Sequence, residues 1–216
     1  MPPVTLSDVE RVVHIMAETV VTNETYFGEL DAVVGDGDFG YSMARGFELV
    51  ISDWDKFDRT DIAAFLRRVA VVITSRVGGT SGPIWGTGFL RAAAGAAGAA
   101  TIESGQIVSM LRAAVEGIKA RGNADLGDKT LLDALVPAID ALEEKLAEQA
   151  PAADAVRAAA TAARGAAEAT RPMLAKRGRA AYTGERSIGT LDAGAVAVAV
   201  LLEALADRWP EVRPTG

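Results

Sequence analysis

Three aspartates, Asp31, Asp36 and Asp38, fall within eight residues and alternate with Gly35, Gly37 and Gly40. Unscreened carboxylates held this close repel by about 1 to 4 kcal/mol per pair at surface-like dielectric. A folded chain tolerates the cluster best with a cation among the oxygens. Hard oxygen ligands with no histidine or cysteine beside them suit magnesium or calcium rather than zinc. Two familiar patterns fit the same letters only on the surface. The three glycines satisfy G-x-G-x-x-G, but the aspartates between them would repel a bare pyrophosphate at the following helix N-terminus. An EF-hand loop opening at Asp36 needs an acceptor in fifth place and a glutamate in twelfth, where Gly40 and Phe47 stand. The stretch reads as a metal loop that meets phosphate through its cations. A solvated acidic turn with glycine hinges is the plain alternative.

Three further loops carry chemistry. In 78–83, Gly-Gly-Thr-Ser-Gly-Pro, glycines let backbone N–H groups approach a ligand and the hydroxyls of Thr80 and Ser81 add donors. A helix opening there favours an anion; a capped helix–helix turn is the competing reading. The segment from Gly122 to Thr130 is close to a P-loop, but its Lys129 comes one residue late, behind Asp128, and no strand precedes it. A P-loop NTPase is therefore excluded, and Asp128 and Lys129 are expected to start and charge the next helix or to serve the site. Residues 177–189 hold Arg177, Arg179 and Arg186, a local positive patch for phosphates or else an exposed set of ion pairs with Glu185 and Asp192. His14, the only histidine, is expected to be structural, and Trp54, Trp85 and Trp209 to be packing residues.

The elements that must position these loops are helices. Half of the 216 residues are hydrophobic, the formal charge is −7 and cysteine is absent. That excludes global disorder, disulfides and thiolate chemistry, and argues against a nucleic-acid or anionic-membrane surface. No signal core opens the chain and no apolar run is long enough to span a membrane, so a soluble cytoplasmic protein is expected. Helical spacing predicts a first helix with the stripe Val9, Val12, Val13, Met16 and Val20, capped by Ser7, and a second through Met43, Phe47 and Val50. The third carries Ile62, Phe65, Leu66, Val69 and Ile73, and the fourth starts near Ile84. A fifth is capped by Ser104, a sixth carries Leu132, Leu135, Ile139, Leu142 and Leu146, an alanine-rich seventh follows Pro151, and an eighth runs from Thr190 to Trp209. The expected fold is all-α, eight antiparallel helices in a bundle or barrel, one domain over 1–216. All four special loops are odd-to-even connections, so they fall at the same end and read as one site for metal and phosphate.

In this order the motifs Gly35-Asp36-Gly37-Asp38-x-Gly40, Gly79-x-Ser81-Gly82-Pro83, Gly127-Asp128-Lys129-Thr130 and Gly184-Glu185-Arg186-Ser187-Ile188-Gly189 resemble the L subunit of dihydroxyacetone kinases, the nucleotide-binding subunit of a two-protein enzyme. The resemblance spans essentially the whole chain and implies a barrel of eight antiparallel helices. It implies that Asp31, Asp36 and Asp38 hold two Mg2+ ions bridging the phosphates of ADP or ATP. Phe39, Gly40, Tyr41 and Ser42, with Gly79, Thr80 and Ser81, would lie against those phosphates. Gly122, Leu131, Arg179 and the turn Asp192, Ala193, Gly194 would enclose base and ribose. The implied partners are a K-type subunit carrying a small ketose, dihydroxyacetone or erythrulose-like, and a phosphotransferase-system donor protein where ADP rather than ATP is resident. Phe39 stands where the family often has histidine, Leu131 where methionine is common and Ala193 where proline is usual. A fatty-acid-kinase nucleotide domain and a non-enzymatic ADP-sensing subunit that binds a transcription regulator are the rival readings.

Overall fold

Apolar residues at helical spacing condense here into α1 (Leu6–Thr22), α2 (Glu24–Ala32), α3 (Phe39–Ser52), α4 (Ile62–Arg76), α5 (Ser81–Gly95), α6 (Ser104–Gly122), α7 (Leu132–Ala147), α8 (Ala152–Ala169), α9 (Ala193–Asp207) and α10 (Trp209–Val212). Short 3-10 segments occupy Trp54–Lys56 and Arg179–Ser187. The structure, a computed structural model, describes residues 2–213; Met1 and 214–216, the ends of the expected single domain, lie outside the described residues. Among the described residues there is no strand, only one antiparallel bridge between Val4 and Ile102. No helix among the described residues is long and apolar enough to cross a membrane.

From α3 to α9 each helix packs on the next, and α1 touches both α3 and α9, which closes the ring. The eight-helix barrel is therefore α1 and α3 to α9, with α2 and α10 added to it. The stripe Ile62, Phe65, Leu66, Val69 and Ile73 is buried throughout and meets Phe27, Met43, Phe47, Val50 and Val196 in the main core. Alanine-rich α8 buries Ala155, Ala159, Ala163 and Ala167, a stripe four residues apart that lets α7 and α9 approach closely. Arg164 fastens α8 to α9 through a two-point pair with Glu203 at 2.7 and 2.6 Å.

Local chemistry sets the helix ends. Thr5, not Ser7, caps α1: its hydroxyl accepts the Asp8 N–H (3.3 Å) while the Asp8 carboxylate accepts the Thr5 N–H (2.9 Å), a reciprocal capping box. Glu103 is the cap residue of α6, and Ser104 is its first residue. The last barrel helix begins three residues after Thr190 because the Asp192 carboxylate accepts the Ala195 N–H at 2.7 Å. It ends at Asp207, and Trp209-Pro210 opens α10, proline being tolerated in a first turn.

Candidate functional site

The acidic stretch lies between α2 and α3, and both helices shape it. At Gly40 a Cβ would overlap the Glu24 carbonyl and stand 2.5 Å from the Gly28 nitrogen, so α3 begins in backbone contact with α2. The loop folds back over the end of α2: the Gly35 N–H donates to the Asp31 carbonyl (2.6 Å) and the Phe39 N–H to the Asp31 carboxylate (3.4 Å). One carboxylate oxygen from each of Asp31, Asp36 and Asp38 then lies within 4.8 Å of the others. Oxygens around an octahedral magnesium at about 2.1 Å are roughly 3 to 4 Å apart, so small side-chain adjustments suffice and the donor set fits a hard divalent cation. Burial, with the Asp31 carboxylate close by, raises the Asp38 pKa above its ordinary value; a cation relieves both causes. The cation that faces the cluster in the structure is the Arg179 guanidinium, paired with Asp36 and, at 3.1 Å, with Asp38.

These groups line one side of a cavity of about 480 Å³ at the mouth of the barrel. The four special loops do meet there. Thr80 and Ser81 start α5 on one wall, Gly122 ends α6, Leu131 precedes α7, and Asp192, Ala193 and Gly194 open α9. Four barrel helices thus present their N-termini at this end. Those of α3 and α5 receive no side-chain cap from Asp38 or Thr80; at α3 the Phe39 N–H turns to the Asp31 carboxylate, whereas the first turn of α5 keeps N–H groups for a ligand. Ile84, Trp85, Ile118 and Leu132 give the cavity an apolar floor. Asp192 has its carboxyl pushed up to about 7 by burial, with the Ala195 N–H lowering it and the Asp133 carboxylate raising it further.

Asp31, Asp36, Asp38, Phe39, Gly79, Thr80, Ser81, Gly122, Leu131, Arg179, Asp192, Ala193 and Gly194 all line the cavity, whereas Gly40, Tyr41 and Ser42 do not. Gly40 is buried at the α2 contact, and Tyr41 is exposed with the Arg45 guanidinium 5.0 Å above its ring. Ser42 sits behind the glycine loop, its hydroxyl 2.7 Å from where a Gly78 Cβ would be. Phe39 packs on Phe27 with ring centroids 6.0 Å apart. Its side chain anchors the start of α3.

The arginine loop is not the exposed ion-pair network weighed as its alternative: Arg179 pairs across the mouth and Asp192 caps α9. Nor does Lys129 charge a helix start. It is buried at 2% exposure, beside buried Asp128 and Asp133. The Asp133 carboxylate accepts the N–H groups of Gly127 (2.5 Å) and Thr130 (2.7 Å), which shapes the turn ahead of Leu131. A glycine-rich turn followed by Asp-Lys-Thr was the available signal, but its meaning lies in acceptors far along the chain. Trp85, expected to pack, also floors the cavity. His14 lies elsewhere, edge-on to Trp54 at 5.1 Å and 3.3 Å from Glu18.

Comparison with known proteins gives a consistent picture. The DAK2 domain matches residues 33–207. The ADP-binding subunit DhaL of the PEP-dependent dihydroxyacetone kinase of Escherichia coli is 37% identical over 86% of this chain and 88% of its own length. The corresponding subunit of the PTS-dependent enzyme of Lactococcus lactis is 34% identical over 87% and 90%. Among solved structures, the dihydroxyacetone kinase of C. freundii in complex with AMP-PNP and Mg2+ aligns with a TM-score of 0.74 at 28% identity. That alignment covers 92% of this chain and 33% of the other, so the present chain spans about a third of that protein's length.

Proposed function

The chain belongs to the DAK2 domain family, and from that premise we propose that it is the nucleotide-binding subunit of a two-component dihydroxyacetone-type kinase. It binds ADP or ATP with two Mg2+ ions at the barrel mouth and presents a phosphoryl group to a small ketose held on a K-type partner subunit. The observation that carries this reading is the convergence of Asp31, Asp36 and Asp38, within 4.8 Å of one another, on a cavity shared with the N-termini of α3 and α5.

In this reading the three carboxylates hold the metal. Magnesium, when bound, neutralises charge on the phosphates as the terminal phosphoryl group transfers. The first turn of α5 supplies N–H donors to the phosphate oxygens, and Thr80 and Ser81 add hydroxyls. Ile84, Leu131 and Ile118 give the base an apolar slot. Arg179 exchanges its carboxylate partners for phosphate oxygens once metal occupies the acidic loop. The cavity lining contains no histidine, in keeping with a subunit that positions a phosphoryl group while acceptor activation falls to the partner. Val33, Tyr41, Leu126, Tyr182 and Ile188 are exposed on three of the four loops or the first turn beside them, an apolar rim suited to covering by that partner.

Two phosphoryl sources fit the same site: ATP exchanged at each turnover, or resident ADP rephosphorylated by a phosphotransferase-system protein. Release of labelled ADP, followed with and without a K-type partner and ketose, separates them. Fast exchange with ATP-dependent ketose phosphorylation supports the first source. Retained ADP that becomes productive only with the donor protein supports the second. Failure to retain or bind either nucleotide in magnesium overturns the proposal.

A further inference from the structure

The reading above leaves the most deeply buried cation of the chain without a role. Lys129 adopts a left-handed backbone, φ 61°, a costly conformation for a residue with a Cβ. Its Nζ donates to the carbonyls of Met173 (3.1 Å), Ser187 and Thr190 (2.8 Å), with the Thr190 hydroxyl at 3.3 Å. An ammonium has three hydrogens, and these acceptors use them, so no donor remains for a ligand. The acceptors are placed tellingly: one stands before the 174–189 loop and the others at its exit. Asp128 grips the same loop from within, its carbonyl accepting the Lys176 N–H (3.0 Å) and its carboxylate the Arg177 Nε–H (3.1 Å). The neck is closed again by the Ala175 N–H on the Ser187 hydroxyl (3.0 Å) and the Gly189 N–H on the Arg171 carbonyl (2.7 Å). Beyond the neck, the loop delivers Arg179 to Asp36 and Asp38, and its exit runs directly into the Asp192-Ala193-Gly194 turn.

We propose that Lys129 is a positioning residue for the nucleotide site: its buried ammonium pins both ends of the 174–189 loop, and so holds Arg179 over the acidic loop and the α9 turn against the opposite wall. The inference rests on the proposed nucleotide site and deepens it. Burying a lysine without a directly bonded carboxylate is unfavourable unless its hydrogen bonds are complete, and here they tie together segments 44 to 61 residues away. Met fills much the same volume without a donor, so Lys129→Met removes the pin and keeps the stem.

The test is a double-mutant cycle of Lys129→Met and Arg179→Gln, read by ADP titration in magnesium, by Mn2+ titration without nucleotide and by amide hydrogen exchange. Lys129→Met is expected to keep its helicity and to bind Mn2+ alone within about twofold of the unmodified chain, because the acidic loop is held by α2 and α3. Exchange protection over 174–190 falls, ADP affinity drops about tenfold or more, and Arg179→Gln on that background costs only about twofold further, since coupled sites are not additive. ADP affinity unchanged in Lys129→Met, or full additivity with Arg179→Gln, overturns the inference. Lys129→Gln, which keeps two donors, is read in the same way if the Met variant does not fold; unfolding of both would assign Lys129 to the fold rather than to the loop and likewise overturn it. Absence of ADP binding in the unmodified chain would instead overturn the proposed function.

Discussion

At Gly35 a methyl group would overlap the carboxylate of Asp31, so the glycine keeps space for a ligand oxygen. The same methyl would stand 2.9 Å from the Asp31 carbonyl oxygen, so Gly35→Ala is expected to weaken metal-dependent nucleotide binding about tenfold or more and to lower stability by about 1 to 3 kcal/mol; paired titration and urea melts check this. Asp192 gives a second prediction. Its folded pKa of about 7 lies above the ordinary 3.8, so the carboxyl binds its proton more tightly in the folded chain. Its contribution is complete below the ordinary value and is lost as pH rises through about 7. Stability measured relative to Asp192→Asn, which retains a capping oxygen, should decline from about pH 4 to about pH 7; a flat difference would remove the buried-acid assignment. The acidic triad was legible in the sequence because clustered charge has no packing explanation. Lys129 was not legible, because its partners are backbone carbonyls that no side-chain pattern announces.

Helix α2 shows what periodicity misses at the next scale. It is nine residues long and buries only Phe27, so it has no stripe to read, and the acidic loop was expected to follow α1 directly. The longer helices were legible because each buries several side chains at helical spacing, and their ends drifted where Thr5 or Asp192 rather than a neighbour supplied the cap, or where Glu103 took the cap position without a side-chain bond. The α2–α3 crossing depends on Gly40. Gly40→Ala should push the helices apart and lower unfolding free energy by about 1 to 3 kcal/mol, the usual effect of overpacking, seen as a lower urea midpoint. Unchanged stability would mean that the crossing is loose. The resemblance assigned Gly40 to phosphate contact; in the structure it lies outside the cavity lining, and the absence of its side chain serves the helix contact.

Across the whole molecule, closure of α1 onto α9 turns a series of hairpins into a barrel whose loops alternate between two ends. Counting loops in the sequence was enough to gather the four motifs at one mouth, because short connections force successive helices to run in opposite directions. The far end is tied instead by the Val4–Ile102 bridge and by Arg213 on Asp8 (3.0 Å), away from the site. Cavity shape, the Arg179 pairing and the Lys129 pin depend on contacts between distant loops and needed the structure. If the mouth binds nucleotide and metal together, Mg2+ with ADP at a hundred times its dissociation constant should stabilise the fold by about 2.7 kcal/mol, a rise of roughly 5 to 10 °C in Tm. The most direct measurement of the central claim is calorimetric titration of ADP into the chain, in magnesium and in chelator, with Asp36→Ala alongside. The account predicts strong binding in magnesium that is lost both on chelation and in Asp36→Ala while helicity is kept; equal ADP affinity in all three would contradict it.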